Sequence, residues 1–311
     1  MSFRVAIIGY GAVASVHAGQ MARESGITLA SVWGPNPEKA ANFASRFGVA
    51  HVAASLADAI ERADAAIVAS PSALHFEQAR DSLRRGVPAL VELPPCDSEA
   101  DWHALVQFAG QHHTTVQCAH TSRYLAPFIL VRDAIRSGKL GAIQQIDYVR
   151  HHRLRERNWT DSALLHHAAH PVDLLIEWFG TPAPVACIAT PNVECAQSAS
   201  LLAELPGGAP AAISITYASR LPHVRMLIVG ERLTVETDGF SYLRSDSEDL
   251  SFRGGGQDVY EGAIHDQDME FIRACRGEKA GVGWEETLTL MKTMEAYAVL
   301  ARGGRYAGNL I

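Results

Sequence analysis

The chain opens with an apolar run, Phe3-Arg4-Val5-Ala6-Ile7-Ile8, that stops at a glycine-rich turn, Gly9-Tyr10-Gly11-Ala12-Val13-Ala14. The turn fits G-x-G-x-x-G/A. The first glycine permits a tight turn, the second lets main chain approach a pyrophosphate, and a small third residue lets the next helix pack close to the strand. The N-terminus of that helix attracts phosphate. Alone the pattern is weak, but directly after a strand and at the mouth of a helix it predicts a dinucleotide site. Gly9, Tyr10, Gly11, Ala12, Val13 and Ala14 are therefore candidate cofactor-binding residues.

The pattern that follows supports that context. Strands are expected at 3–8, 28–33, 65–69, 88–91 and 115–118, with helices at 14–24, 38–47, 55–62, 74–85 and 99–112. Strands alternating with helices mean crossover connections and a parallel, doubly wound sheet. After about residue 120 the pattern changes. A helix at 125–137, a strand at 143–153 and a helical region at 164–179 lead into strand-like runs at 198–205, 211–217, 224–229 and 233–237. Strands without helices between them suggest a mostly antiparallel sheet. Helices at 265–276 and 285–302 close the chain, and Gly254-Gly255-Gly256 reads as a mobile loop. The expected fold is α/β, with a Rossmann domain over 1–120 and a second α/β domain over 121–311.

Bulk properties narrow the function. A length of 311 residues suits two domains. A net charge of −7 argues against non-specific nucleic-acid binding. Five widely spaced cysteines without a C-x-x-C argue against a disulfide framework or a cysteine zinc site. The opening apolar run is too short for a secretion signal core or a membrane span, so a cytoplasmic protein with no membrane partner is expected.

Rossmann sites usually carry an acidic residue at the end of the second strand to hold the ribose hydroxyls. Here that region is Val32-Trp33-Gly34-Pro35-Asn36-Pro37, with no carboxylate to repel a 2′-phosphate and no arginine to bind one. With Asn36 and Lys39 nearby, the expectation leans to NADP, NAD remaining possible.

Several motifs recur in an order that resembles the Gfo/Idh/MocA oxidoreductase family over nearly the whole chain. They are Gly9–Ala14 with His17, Ala69-Ser70-Pro71-Ser72-Ala73-Leu74-His75, Val91-Glu92-Leu93-Pro94, His120-Thr121-Ser122-Arg123-Tyr124, His170-Pro171-Val172-Asp173, and Asp268-Met269-Glu270-Phe271-Ile272 with Gly277. The resemblance implies cofactor contacts at Ser70, Pro71, His75, Glu92 and Pro94, and a nicotinamide between the two domains. It also implies an open sheet face that packs against another subunit in a homodimer or homotetramer. The stretch from Asn158 to His170 is most similar to a semialdehyde dehydrogenase subgroup, which oxidises a cyclic hemiacetal to a pyrone dicarboxylate with NADP.

One departure matters. Most family members carry Glu-Lys-Pro, whose lysine hydrogen-bonds the reacting oxygen; here the triplet is Glu92-Leu93-Pro94, and leucine can donate nothing. The semialdehyde subgroup also lacks this lysine. Oxidising an alcohol or hemiacetal needs a base, and neutral histidine can serve. His170 aligns with a family site residue and is the candidate base, assisted by His166, with Asp173 orienting an imidazole; His167 reads as structural. His166 and His170 share a helix face if the segment is regular, although Pro171 implies a bend or a helix start there.

A basic cluster, Arg150, His151, His152, Arg153, Arg155 and Arg157, precedes Trp159. Alternate strand residues share a face. Arg153, Arg155 and Arg157, with Arg123 and Trp159, are candidate contacts to a small anionic substrate, since arginine grips carboxylates bidentately. The expected activity is hydride transfer between a nicotinamide and a hydroxyl or hemiacetal carbon. The alternatives are a non-catalytic NADP-binding regulator, a sugar or polyol dehydrogenase, and a zinc hydrolase using His166, His170 and Asp173. The last lacks the H-E-x-x-H glutamate.

Overall fold

The computed structural model describes residues 2–154, 162–278 and 281–303. The chain divides into two compact units, one of Met1–His120 with Ile264–Leu288, the other of Thr121–Ala263 with Thr289–Ile311. The stretch Ile264–Leu288 thus belongs with the first unit, although it lies inside the region 121–311 expected for the second.

The first unit runs β1 (Phe3–Ile8), α1 (Ala12–Met21), β2 (Ile27–Trp33), α2 (Pro37–Phe47), α3 (Leu56–Glu61), β3 (Ala65–Val68), α4 (His75–Arg84), β4 (Ala89–Val91), α5 (Glu99–Gln111) and β5 (Val116–Cys118). All five strands are parallel, in the order β2-β1-β3-β4-β5. A single bridge between Val32 and Val52 adds an edge segment beside β2, with Val32 N–H donating to the His51 carbonyl at 3.0 Å. With that segment the order is the one of doubly wound dinucleotide folds, and strand order reverses between β1 and β3.

Both faces of this sheet are covered, which is why its strands read as unbroken apolar runs. Val5 to Ile8 and Ala65 to Val68 are all fully buried. Ala14, Ala18 and Met21 of α1 pack on Val5, Ile7, Leu29 and Ile67, and Phe271 and Ile272 join them from the C-terminal half. Each fully buried Leu, Ile, Val or Phe contributes about 1.5–3 kcal/mol. Local signals set the helix ends. Asn36 caps α2, whose first residue is Pro37, and Gly48 ends it with φ +69. Ser55 and Ser98 cap α3 and α5.

The second unit contains α6 (Ala126–Arg136), β6 (Ile143–Arg153), α7 (Ala169–Phe179), β7 (Ala183–Thr190), β8 (Ser198–Glu204), β9 (Pro210–Ser219), β10 (His223–Gly230), β11 (Thr234–Thr237), β12 (Tyr242–Ser245) and β13 (Phe252–Arg253). Two final helices, α8 (Gly256–Cys275) and α9 (Trp284–Ala301), contribute residues to both units. The eight strands form one sheet in the order β13-β12-β11-β10-β6-β9-β8-β7. Every pairing is antiparallel except β6 with β9.

Three strands, β7, β12 and β13, lie where no strand is expected from the sequence. In β7 a register shift between Pro184 and Ala186 breaks the alternation that would mark it. The glycine triplet is also shorter as a loop than its composition suggests, because Gly256 already opens α8 and Gly254 N–H donates to the Ser241 carbonyl at 2.9 Å. One sheet face is buried through Ile146, Tyr148, Leu201, Ile213, Ile215, Met226 and Ile228. The other carries Ile188, 70% exposed, and Leu202. No helix among the described residues is long and apolar enough to cross a membrane.

The turn after β1 depends on Gly9. Its φ is +113°, and a Cβ there would lie 2.5 Å from the Ala69 carbonyl oxygen. Gly9→Ala should therefore lower stability by about 2 kcal/mol or more, a strained backbone plus a steric clash. Gly11→Ala should cost much less, because nothing lies within 4 Å of the added carbon. Urea denaturation of both variants checks this; equal losses would show that the two glycines do not differ as described.

Candidate dinucleotide and proton-transfer sites

In the first unit the candidate residues gather at the C-terminal ends of the parallel strands, where ligands of such sheets bind. Gly9 sits against Ala69, so the ends of β1 and β3 approach closely. Gly11 is the N-cap of α1, with no side-chain cap and no acidic residue in the first turn. Its first N–H groups face outward from an end that carries partial positive charge. The open space in front of Gly11 and the uncapped helix fit a dinucleotide pyrophosphate held by main-chain amides.

Tyr10 and Asn36 belong to one small structure. The Tyr10 ring lies over Gly34, and the Asn36 N–H donates to Tyr10 Oη at 3.1 Å. Asn36 Oδ1 accepts from the Lys39 N–H at 2.9 Å, so its side chain also caps α2. Further along, the buried imidazole of His75 lies between the carbonyls of Pro94 and Ser70, each 2.8 Å away. It ties the loop after β3, which contains Pro71, to the loop after β4. The Ser70 hydroxyl donates to Gln78 Oε1 at 2.6 Å. Leu93, in the lysine position, is only 2% exposed, and the Leu93-Pro94 bond is cis.

The sequence reading did not assign a site role to His17 or Asp268, although both stood in the family motifs. Fully buried His17 lies between two carboxylates. Its Nε2 is 2.9 Å from Glu92 Oε1, and its Nδ1 is 2.8 Å from Asp268 Oδ2. Burial disfavours charge on the ring, but the Asp268 and Glu92 carboxylates outweigh it and raise its pKa to about 10. His17 is therefore a buried cation donating to both. It joins α1, the end of β4 and α8, residues up to 251 positions apart.

In the second unit a cluster of rings surrounds the start of α7. One π-helical turn, Ala163–His167, precedes that helix, and Ala168 N–H donates to the Ala163 carbonyl at 3.1 Å. Ser162 caps the turn, accepting from Leu165 N–H and donating to the Val193 carbonyl. Pro171 falls in the first turn of α7, where its missing N–H costs nothing. Neighbours in an α-helix do not face each other. The wider turn stacks His166 on His167 at 4.6 Å and leaves His170 6.3 Å from His166 and 6.1 Å from His167.

His152 on β6 and Tyr217 on β9 complete the cluster; the sequence marked neither as a site residue. The His152 ring is 4.2 Å from His167, and His167 Nδ1 lies 2.5 Å from Tyr217 Oη. Burial, then the charge of Arg150 and the neighbouring imidazoles, hold His167 well below its ordinary pKa. Ser122 Oγ lies 3.5 Å from His170 Nδ1.

The arginines fall in different places. Arg123 and Asp173 form a buried bidentate pair, Nε to Oδ2 at 2.9 Å and Nη2 to Oδ1 at 2.6 Å. Arg123, a candidate substrate contact, and Asp173, a candidate orienter of imidazole, are thus bound to each other. That pairing also engages the carboxylate a zinc hydrolase would need, and no metal-holding group of three His, Cys, Asp or Glu side chains occurs among the described residues. Arg153 is exposed at the end of β6, whereas Arg150 lies over the Phe240 ring, 5.9 Å from its centroid, and its charge acts on His167. Arg155, Arg157 and Trp159 lie outside the described residues.

Comparison with known proteins supplies the framework. Residues 3–120 match an oxidoreductase family profile described as an NAD-binding Rossmann fold, and residues 128–236 match the GFO/IDH/MocA C-terminal domain. The chain belongs to the Gfo/Idh/MocA oxidoreductase family. Among relatives of this family member, 4-carboxy-2-hydroxymuconate-6-semialdehyde dehydrogenase of Sphingobium sp. strain SYK-6 is 28% identical over 96% of each chain. UDP-N-acetylglucosamine 3-dehydrogenase of Acidithiobacillus ferrooxidans is 26% identical over 72% of this chain and 70% of its own. Among solved structures, GenD2 from gentamicin A biosynthesis, in complex with NAD, superposes with a TM-score of 0.85 at 20% identity, covering 98% of this chain and 95% of that one. It shares the fold.

The His17 cation has a measurable signature. A histidine of an unfolded chain titrates near 6.5. Because folding raises that value to about 10, the stabilisation is fully present below about pH 6.5 and is lost as pH rises through 10. Urea midpoints of the wild type should fall between pH 6.5 and 10, and those of His17→Gln should fall less steeply from a lower start. Parallel slopes would mean that His17 is not the cation described.

Proposed function

We propose that the protein is an NAD(P)-dependent dehydrogenase that oxidises a hydroxyl or hemiacetal carbon of a small carboxylated substrate, with His170 as the base. The observation that carries this reading is the convergence of His166, His167 and His170, all within 6.3 Å of one another. A bound nicotinamide supplies the hydride acceptor. The residues around Gly9 and Gly11 hold the pyrophosphate through amides, and the protein must then remove one proton.

A neutral imidazole accepts the hydroxyl proton as the hydride leaves the carbon. Burial and cationic neighbours favour the neutral form of His167, which lies 6.1 Å from His170. The positive charge of Arg150, felt at His167, favours a substrate bearing a carboxylate. The likeness to a semialdehyde dehydrogenase supports the same substrate class, and the likeness to a nucleotide-sugar dehydrogenase marks sugars as the second class to assay. One observation favours a different reading: Leu93 is buried at the position where the family resemblance leads one to expect lysine in most members outside the semialdehyde subgroup, as a non-catalytic NADP-binding regulator would allow.

His170→Asn should lower kcat by about 10²–10⁴, the usual worth of a general base, while leaving the cofactor Kd within about twofold. Stopped-flow hydride transfer with carboxylated semialdehydes, aldoses and polyols, beside fluorescence titration of NADPH, measures both. Turnover that survives the substitution would remove His170 as base, and tight NADPH binding without turnover of any substrate would favour the regulator.

We also propose that the exposed face of the eight-stranded sheet binds a second copy of the chain. Ile188 and Leu202 project from adjacent strands of that face, a costly exposure for a monomer. Ile188→Glu with Leu202→Glu should convert a dimer or tetramer to monomer in light scattering; an unchanged mass would exclude this face.

A further inference from the structure

We propose that Tyr10 selects the phosphorylated dinucleotide, by occupying the place from which a carboxylate would grip the ribose. This rests on the dinucleotide reading above and goes beyond it in naming the residue that makes the choice. In doubly wound folds an acidic side chain at the end of the second strand accepts the ribose hydroxyls, and its charge repels a 2′-phosphate. In this chain β2 ends at Trp33, and the next residue is Gly34.

The absence of a side chain at Gly34 has a steric cause. A Cβ there would fall on the Tyr10 ring, with Cε1 nearest, Cδ1 at 2.7 Å and Cζ at 3.1 Å. The ring is held in place from two sides. Tyr10 packs against the core of the first unit, and its Oη accepts the Asn36 N–H at 3.1 Å. An aspartate or glutamate at position 34 would have to expel the ring and break that bond. The tyrosine of the glycine-rich turn and the glycine after β2 are thus one device, set 24 residues apart in sequence and in contact in the fold.

The groups left around this place are mostly donors. The Asn36 Oδ1 is already used by the Lys39 N–H, which leaves its amide NH2. Tyr10 Oη accepts from Asn36 and keeps its own hydrogen to donate. Lys39 is exposed in the first turn of α2, and Glu38 beside it is the one acidic residue of that turn. A 2′-phosphate offers acceptors to such a set, whereas a 2′-hydroxyl gains little from it.

The test is a binding measurement, which needs no substrate. Fluorescence or calorimetric titrations with NADP and NAD are run on the wild type, on Tyr10→Ala combined with Gly34→Asp, and on Gly34→Ala. The wild type should bind NADP at least about tenfold more tightly than NAD, and the double variant should shift that ratio about 100-fold toward NAD through the new carboxylate. Gly34→Ala, which only pushes the ring aside, should weaken NADP more than NAD. It guards against a double variant that does not fold. Equal or NAD-favouring binding by the wild type would overturn the proposal, as would a ratio unchanged in folded variants. Failure of the wild type to bind either dinucleotide would instead overturn the cofactor reading itself.

Discussion

The close approach of Gly9 to the Ala69 carbonyl is the constraint on which the first unit depends. It draws the C-terminal ends of β1 and β3 together at the point where strand order reverses. Beside it α1 begins at the N-cap Gly11 with no side-chain cap, which leaves the first-turn amides without side-chain partners. The buried alanines of α1, Ala14 and Ala18, let the helix lie close enough to the sheet for this geometry. A larger residue at either kind of position would separate elements whose ends form the cradle.

Around that cradle, charge is arranged at depth. His17 carries a proton between Glu92 and Asp268, and a buried charge is tolerable only when its partners are this close. The result fixes the end of β4 to α1 from below, while His75 fixes the neighbouring loops through two carbonyls. The second unit uses the opposite device. There burial, Arg150 and the neighbouring imidazoles disfavour charge on His167. The charges around the two sets of imidazoles thus differ in sign: carboxylates surround His17, whereas Arg150 and other imidazoles act on His167.

Much of the fold was legible in the sequence, because the signals are local. Gly9, Gly11, the buried strands and the capping residues act through neighbours a few positions away. The missing strands β7, β12 and β13 lacked such signals: a register shift interrupts β7, and the other two are four and two residues long. At the candidate site, His166 and His170 were identifiable as types in a motif. The π turn that stacks His166 on His167 was not, because neighbouring residues in a regular helix diverge. Arg123 reads from the sequence as a substrate contact and Asp173 as an orienter of imidazole, and their pairing across two segments is visible only in the structure.

The sequence by itself determined the alternation of strands and helices, the change of pattern near residue 120 and the dinucleotide turn, since each depends on side-chain size and periodicity within a short window. Only the tertiary structure decided which charges are paired. His17 meets Asp268 across 251 positions, Tyr10 meets Gly34, and His152 and Tyr217 come to His167 from separate strands. Protonation follows from those distances, because the interaction of charged and polar groups depends on separation in space and on burial, and neither can be read from separation along the chain.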